Sequence, residues 1–248
     1  RRAQAGALRD FVLGVKLVDG GGRLLGFGGQ VMKNVAGYDV SRLVAGSLGT
    51  FGVIAEASIK VLPRPARETT LRLATGEGAA LELFARWGGQ PLPVSATAWV
   101  DGEIRVRLSG SEPALKSAVA RLGGDPLDEE EAARFWRAVR EHEHPFFAGD
   151  APLWRLALPA TAAPLALEGR QLLEWGGGLR WLKSHAPAHV IRNAAEKTGG
   201  HATLFRAADK SAGAFTPLPA VNLRLHQALK KVFDPAGIFN PGRLYPEI

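Results

Sequence analysis

The 248-residue sequence contains no cysteine, and this absence excludes several kinds of chemistry. Without thiolates the chain cannot hold an iron–sulfur cluster, a thiolate zinc site or a cysteine nucleophile. Any one-electron relay that the protein uses must therefore lie on another subunit. A cysteine-free chain also fits a reducing compartment, so we expect a cytoplasmic protein.

Long apolar runs are absent as well. No stretch approaches the roughly 18 consecutive apolar residues that a membrane-spanning helix needs. Apolar residues nevertheless make up 46% of the sequence and charged residues 22%, which is typical of a globular protein with a buried core. The sequence therefore predicts no membrane-spanning helix.

A concentrated basic surface is also missing, although the formal net charge is +7. Lysine and arginine outnumber aspartate and glutamate by 9 to 4 in residues 1–65 and by 4 to 2 in residues 211–248, while the segment between them is balanced at 18 to 18. A nucleic-acid binder would show a clustered basic stripe with interleaved aromatic residues, whereas these basic residues are scattered singly. We expect no nucleic-acid partner.

The pattern of strands, turns and helices predicts an α+β protein in three segments. Residues 1–65 contain an apolar strand, a glycine turn that predicts a hairpin, and a later strand ended by two prolines. Residues 66–210 hold all six tryptophans and predict an antiparallel sheet covered by helices. Residues 211–248 resemble the first segment in composition. Helices are predicted near 77–87, 112–122, 128–141, 186–198 and 218–233, and strands near 69–75, 153–158, 171–175 and 201–206. The Asp101-Gly102 turn between two alternating runs, SATAWV and EIRVRLSG, predicts a further hairpin.

Residues 28–54, GGQVMKNVAGYDVSRLVAGSLGTFGVI, combine frequent glycines with apolar positions that a flexible linker would lack. The stretch is therefore packed, with glycines where a Cβ would not fit. Residues 46–52, GSLGTFG, precede a strand and offer backbone N–H groups and two hydroxyls to a phosphate or a nucleobase edge. A tightly packed turn is the alternative. The spacing matches neither a P-loop nor a Rossmann fingerprint.

This glycine-rich segment, together with the closing KKVFDPAGIFNPGRL, resembles the vanillyl-alcohol-oxidase (PCMH) type of FAD-binding proteins, and among them the FAD-binding subunits of bacterial glycolate oxidases. The resemblance implies an FAD-binding domain of two α+β halves with FAD between them and an inserted cap domain. Residues 1–65 would then be the second half of the FAD domain. Residues 66–210 would be the cap or substrate domain, and residues 211–248 the return to the FAD domain.

The family's first half, which carries the loop that grips the FAD pyrophosphate, has no counterpart in this sequence. By comparison with the usual domain size, the resemblance implies that about 100 residues precede it. We therefore expect the sequence as given to hold FAD weakly or not at all by itself.

The resemblance also assigns cofactor-binding residues one by one. On the pyrophosphate and ribose side it implies Gly46, Ser47, Gly49, Thr50 and Gly52, and beside the adenine it implies Val53 and Ile54. The adjoining wall would be shaped by Asn34, Gly37 and Tyr38, unless the asparagine or Asp39 only caps a short helix over residues 39–45. Asn240 would approach the flavin ring or merely close a turn.

Histidines offer metal and catalytic candidates. The pairs His142/His144 and His185/His189 have spacings that could bind a metal, but such pairs are more often surface features, and we predict no metal site. His201 is the candidate for a catalytic base, because a neutral imidazole can take a hydroxyl proton as hydride leaves the α-carbon. No partner carboxylate is near it in the sequence.

Arg180, Lys183 and Arg206 could bind a substrate carboxylate, although exposure to solvent is the default for these residue types. The resemblance implies an FAD-dependent oxidoreductase that converts glycolate or a similar small 2-hydroxy acid to the 2-oxo acid, with a larger homologous FAD subunit and an iron–sulfur subunit as partners. One alternative is a non-catalytic electron-relay or scaffold subunit, which the lack of a clear acid, base or metal constellation favours. Another is a different FAD-dependent 2-hydroxy acid dehydrogenase, such as a D-lactate dehydrogenase.

Overall fold

Alternating apolar residues and glycine turns produce the strands, and amphipathic stretches produce the helices. The computed structural model describes residues 2–29 and 39–248. The strands are β1 Val12–Val18, β2 Leu24–Gly28, β3 Val53–Ile59, β4 Arg67–Ala74, β5 Val94–Val100, β6 Glu103–Gly110, β7 Asp125–Pro126, β8 Leu153–Ala157, β9 Arg170–Glu174, β10 Leu179–Lys183 and β11 His201–Arg206. The helices are α1 Arg2–Ala5, α2 Val40–Val44, α3 Glu77–Gly88, α4 Glu112–Leu122, α5 Glu129–Glu141, α6 Ala188–Lys197 and α7 Ala220–Phe233. Short 3-10 turns lie at Leu8–Asp10, Pro145–Phe147 and Trp175–Gly177.

The chain divides into two compact units. The small unit comprises residues 6–29, 39–63 and 217–248, and the large unit comprises residues 2–5 and 64–216. The large unit is thus an insertion between two segments that fold together. The roles of FAD domain and cap that the sequence resemblance gave to these regions stay predictions.

The small unit is built on a three-stranded sheet in the order β2-β1-β3. Both strand pairs are antiparallel, with β1 in the middle. Its core joins Leu17 of β1 and Val44 of α2 to Phe51 and to Phe233 at the end of α7. The C-terminal helix therefore supplies part of the core of a sheet that the first 60 residues form.

The large unit is built on an eight-stranded sheet in the order β11-β8-β10-β9-β5-β6-β4-β7. All of its strand pairs in the described residues are antiparallel. One face is apolar and packs against three helices: α3 and α4 contact the half around β4 and β6, and α6 contacts the half around β8 and β11. Successive side chains of a strand point to opposite faces, so the residues between these apolar positions form a second face.

The second face carries polar groups and is only partly covered. On β6 it presents Arg105 and Arg107, which alternate with the buried Ile104, Val106 and Leu108. Helix α5 packs on this face through Phe135 and Val139, beside the 3-10 turn at Pro145–Phe147. The remaining polar face forms the wall of a large cavity described below.

The sequence predicted most of these elements. It also predicted the mixed α+β class, and that prediction is confirmed. The hairpin around Asp101-Gly102 forms as expected, with β5 and β6 paired from Ala98↔Arg105 to Val100↔Glu103. The strand β10 was not predicted, although it lies in the middle of the large sheet. Its sequence, LRWLK, carries two cations, and the first of them, Arg180, is fully buried.

Candidate functional site

Residues 46–52, which we call the glycine loop, connect α2 to β3 in the small unit. The N–H of Ser47 donates to the carbonyl of Val44 at 3.1 Å, and the N–H of Thr50 donates to the carbonyl of Ser47 at 3.1 Å. Four of its residues have positive φ, namely Gly46 (+90°), Leu48 (+54°), Gly49 (+73°) and Gly52 (+149°). The loop is a succession of tight turns that residues with a Cβ adopt at a cost.

The glycines of this loop are required for different reasons. A Cβ on Gly52 would lie 2.5 Å from the carbonyl oxygen of Val18, so this glycine permits close approach to β1. A Cβ on Gly49 would lie 2.8 Å from Nδ2 of Asn240. Only beside Gly46 in this loop is the space within 4 Å of a Cβ open among the described residues. Packing within the chain thus explains Gly49 and Gly52, and Gly46 is where a ligand can approach the backbone.

Lys230 of α7 ties the glycine loop to the C-terminal turn. Its ammonium donates to the carbonyl of Thr50 at 2.8 Å, to the carbonyl of Phe239 at 2.6 Å and to Oδ2 of Asp234 at 2.7 Å. Three acceptors match the three donors of an ammonium group. We call this arrangement the lysine clamp.

Asp234 holds the other side of the clamp. Its side chain is 1% exposed and accepts the backbone N–H groups of Ile238 at 3.1 Å and Phe239 at 2.8 Å. Burial raises the pKa of this carboxyl, but the hydrogen bonds from Lys230 and from these two N–H groups outweigh it, so the pKa lies below its ordinary value. The clamp is therefore a charged pair whose hydrogen-bonding groups are satisfied on both sides.

Asn240 is the second connection between the two segments. Its Nδ2 donates to the carbonyl of Leu48 at 2.6 Å, and its own φ is +42°. The structure thus brings Asn240 together with the glycine loop, as a group that closes the turn against Leu48.

The remaining predicted cofactor residues follow along the loop. Thr50 is fully buried, and its Oγ1 has no hydrogen-bond partner among the described residues. Ser47 is also buried, so neither hydroxyl is presented at the surface as the sequence suggested. Val53 and Ile54 open β3 with side chains that are 52% and 42% exposed. Because they are successive residues of a strand, their side chains point to opposite faces of β3 and expose apolar area on each.

Part of the predicted wall cannot be placed. Asn34, Gly37 and Tyr38 lie outside the described residues. Asp39 is the N-cap of α2, and its Oδ1 accepts the N–H of Arg42 at 3.1 Å. Capping is therefore its role in the described part of the chain.

The large unit contains a cavity of about 1280 Å³ on the polar face of its sheet. Arginines are frequent in the wall, and Thr97, Glu174 and three tryptophans also line it. The arginines are Arg2, Arg64, Arg67, Arg107, Arg137, Arg140 and Arg155. A partly open cavity with this excess of guanidinium groups favours an anionic ligand.

His201 begins β11, paired with Ala157 of β8. Its neighbour Ala202 is buried against α6, so His201 projects to the opposite, polar face. Burial lowers its pKa, and the charge of Arg155 lowers it further, which keeps the imidazole neutral. Among the described residues no hydrogen bond joins His201 to a carboxylate.

The three predicted carboxylate-binding cations are occupied by backbone carbonyls. Arg180 is fully buried and donates to Gly177 at 3.2 Å, to Ala163 at 2.7 Å and to Ala162. Lys183 donates to the carbonyl of Ala148, and Arg206 donates to that of Phe147 at 3.2 Å. These hydrogen bonds to the backbone indicate a structural role for all three residues. Arg155, which sequence reasoning missed, is a better candidate because it lines the cavity.

The histidine pairs do not assemble into larger groups. In residues 2–29 and 39–248, no cluster of three or more histidine, cysteine, aspartate or glutamate side chains could hold a metal ion. His142 instead packs edge to face against Trp181 and Phe205. Over the same residues, no helix combines the length and the apolar character that a membrane crossing requires.

Comparison with known proteins identifies the family. The sequence is 48% identical to the glycolate oxidase subunit GlcE of Escherichia coli over all 248 residues, which is 100% of this chain and 69% of GlcE. The chain belongs to the GlcE family of glycolate oxidase subunits.

Two further comparisons extend this relationship. Residues 214–244 match the family of FAD linked oxidases, C-terminal domain, so the match includes Lys230, Asp234, Phe239 and Asn240 but not the glycine loop. The glycolate oxidase subunit GlcD of Bacillus subtilis is 42% identical over 71 residues, which cover 29% of this chain and 15% of that protein. The prediction of a GlcE-type, FAD-linked oxidoreductase is confirmed by these relatives.

A solved structure shares the fold. An alkyldihydroxyacetonephosphate synthase superposes with a TM-score of 0.58 over 97% of this chain and 54% of its own, at 13% sequence identity. The chain therefore spans about half of that protein and about two thirds of GlcE.

Proposed function

We propose that this chain is an FAD-dependent subunit of a glycolate oxidase complex, which oxidises glycolate or a similar small 2-hydroxy acid to the 2-oxo acid. The observation that carries the proposal is the lysine clamp. It holds the glycine loop against the 239–240 turn, and both Lys230 and that turn lie in the segment that matches the FAD linked oxidases. Bound FAD would supply the hydride acceptor for the reaction.

Two features of the small unit support an FAD site. Gly46 leaves open space beside the backbone, where a pyrophosphate could approach. Val53 and Ile54 expose apolar side chains on opposite faces of β3, and we propose that this part of the strand lies beside the adenine. We propose that Gly46, Ser47, Gly49, Thr50 and Gly52 shape the pyrophosphate and ribose side, with Asn34, Gly37 and Tyr38 in the adjoining wall. Asn240 would approach the flavin ring or only close its turn.

The chain's own residues would also hold the substrate. The guanidinium groups of the large cavity suit a carboxylate. His201 remains the candidate base by its chemistry alone, because it is exposed and is not among the described residues that line the cavity. We propose that the large unit acts as a cap or substrate domain. Its cation-rich cavity supports this role.

A relay or scaffold subunit is the second candidate. It is favoured by one observation, the absence in the described residues of a carboxylate hydrogen-bonded to His201 as an orienting group. In that case the larger flavin subunit would do the substrate chemistry. In both cases we propose an iron–sulfur partner that passes single electrons onward, because these 248 residues contain no cysteine. We also propose a cytoplasmic location, with any association with the inner membrane through the partner subunits.

The two candidates are separated by anaerobic reduction. The natural-length protein is mixed with glycolate, and the visible absorbance of its flavin is followed. Bleaching by the isolated subunit supports a substrate site in this chain. Bleaching only after addition of the larger flavin subunit supports the relay. No bleaching in the reconstituted complex, with glycolate or with D-lactate, would refute the proposed function.

Flavin retention tests the cofactor assignment separately. The 248-residue chain and the natural-length protein are purified in parallel, and their flavin content is compared. Because the chain spans 69% of GlcE, we expect stoichiometric flavin only in the longer protein. Equal, stoichiometric flavin in both would show that the residues given suffice.

A further inference from the structure

Arg155 of β8 is a partly buried cation without a polar partner in the described part of the chain. It has no hydrogen bond or salt bridge there, and its guanidinium stacks over the ring of Trp175 at 5.4 Å from the centroid. The guanidinium of Arg2 stacks on the same ring at 4.4 Å. A stacked guanidinium keeps its N–H donors in its own plane, where they remain available to an acceptor.

The surroundings of Arg155 disfavour its positive charge. Burial lowers the pKa of Arg155, the positive charge of Arg2 lowers it further, and Glu174 opposes these effects only in part. A desolvated cation of this kind is stabilised by an anion that brings its own hydrogen-bond acceptors. Arg155 lines the cavity, so a ligand can supply that anion.

Glu174 supplies the complementary group. It ends β9 and lines the same cavity. Nε1 of Trp181 donates to its Oε2 at 2.8 Å, which fixes the carboxyl in the wall. Burial raises the pKa of Glu174, while the hydrogen bond from Trp181 and the positive charge of Arg155 oppose this effect. In its ionised form the carboxylate has about four acceptor sites, so the bond from Trp181 leaves capacity for a ligand hydroxyl.

The sheet register holds the two groups near each other. Trp181 of β10 pairs with Arg155 of β8, and Leu179, two residues before it, pairs with Glu174 of β9. The turn after Glu174 is fixed by the N–H of Gly176, which donates to Oγ1 of Thr97 at 2.7 Å. Three strands and one anchored turn therefore position the cation, the acceptor and the aromatic wall.

We infer that Arg155 and Glu174 form the recognition site for a small 2-hydroxy carboxylate in the large unit. The guanidinium binds the carboxylate of the ligand, and Glu174 accepts a hydrogen bond from its 2-hydroxyl. The inference rests on the proposed function and names the residues that would carry its substrate specificity.

This pair of groups would discriminate among related acids. A simple carboxylate such as acetate has no hydroxyl for Glu174, and a second carboxylate would be repelled by it. A 2-oxo acid has no hydrogen to donate and would bind more weakly than the 2-hydroxy acid. The same two residues would therefore favour uptake of the substrate and release of the product.

The test measures binding without turnover. The natural-length protein is reduced with dithionite, so that no hydride can be transferred, and glycolate and acetate are titrated by calorimetry. We expect glycolate to bind more tightly than acetate. Arg155→Gln should weaken glycolate on the order of 30-fold, because it removes a charge-assisted bidentate contact. Arg155→Lys should recover only part of this loss, since an ammonium cannot form the fork.

Glu174→Gln tests the hydroxyl contact. Its amide oxygen can still accept from Trp181, so the wall is kept while the charged acceptor is lost. We expect the preference for glycolate over acetate to fall about fivefold, the difference between a charged and a neutral hydrogen bond. Arg134→Gln is the matched control, because Arg134 is an exposed arginine of α5 paired with Glu130, and it should leave both affinities unchanged.

The outcomes separate this inference from the proposed function. Unchanged glycolate affinity in Arg155→Gln, or no glycolate binding by the parent protein, would overturn the inference. If the complex still oxidises glycolate in that case, the proposed function stands. Arg155-dependent glycolate binding in a complex that never oxidises it would refute the proposed function and leave the binding site in place.

Discussion

The ammonium of Lys230 lies 2.7 Å from Oδ2 of Asp234, one helical turn further along the chain. Both side chains are almost completely buried, at 11% and 0% exposure. The same ammonium reaches the backbone at Thr50 and Phe239, so one ion pair links an N-terminal loop to a C-terminal turn. This relationship leads to the first two predictions.

Replacement of Lys230 by methionine should strongly destabilise the small unit. The substitution leaves Asp234 as a buried carboxylate without its cation, which typically costs about 3–5 kcal/mol of unfolding free energy. Urea denaturation measures the change. Lys231→Met is the control, because Lys231 is the exposed neighbour in the same helix, and it should be nearly neutral. Equal midpoints for the two variants would contradict the clamp.

The contribution of Asp234 should depend on pH in a defined direction. Its pKa in the folded protein lies below the ordinary value of 3.8, so the unfolded chain takes up the proton first as the pH falls. Its stabilisation is then fully present above pH 3.8 and is lost as the pH falls through the folded pKa. We expect the difference in unfolding free energy between wild type and Asp234→Asn to shrink over that range. A difference that stays constant from neutral pH to pH 3 would argue against it.

Gly49→Ala should loosen the contact between the glycine loop and Asn240. The added Cβ would lie 2.8 Å from Nδ2 of Asn240, at a φ of +73° that already disfavours alanine. Gly22→Ala is the control, since Gly22 has a φ of +75° with nothing within 4 Å, and it should show only the backbone cost of about 1 kcal/mol. We expect a larger loss for Gly49→Ala, together with reduced flavin content in the natural-length protein.

A double-mutant cycle identifies the cause of that loss. Adding Asn240→Ala removes the group that the new Cβ would meet, so the costs of Gly49→Ala and Asn240→Ala should be less than additive. Strict additivity in urea denaturation would mean that the two residues do not interact.

Arg180→Lys should lower stability and leave the affinity for glycolate unchanged. Lysine cannot reproduce the fork that donates to Gly177, Ala162 and Ala163, so we expect about 2–4 kcal/mol of destabilisation. Thermal unfolding and KM for glycolate are measured in parallel, with Arg134→Lys as an exposed control. A raised KM for glycolate at unchanged stability would instead indicate that Arg180 binds the substrate.

The sequence predicted those parts of the fold that local patterns encode. The Asp101-Gly102 hairpin follows from its turn residues and its alternating flanks. β10 was missed because the two cations in LRWLK suggest an exposed segment. Arg180 is buried only because carbonyls that are 17 and 18 residues away in the chain, at Ala163 and Ala162, accept its hydrogen bonds. No local pattern contains that information.

The residues of the candidate site were also predicted only in part. The sequence motifs identified the glycine loop and Asn240 separately. The contact between them joins Leu48 and Asn240, which are 192 residues apart in the chain. Lys230 was missed, although its spacing of four residues from Asp234 on a predicted helix was an available signal. Arg155 was missed because a charged residue that alternates with buried ones is the ordinary pattern of a half-exposed strand.

The lysine clamp also constrains the order of events during synthesis. The carbonyl of Thr50 and the ammonium that it accepts are separated by 180 residues. The ribosome therefore releases the glycine loop long before the helix that fixes it. Until α7 emerges, the small unit lacks both the clamp and Phe233 in its core, whereas every strand of the large unit has already been made. The large unit can thus fold first, and the glycine loop reaches its final geometry only after α7 has been made.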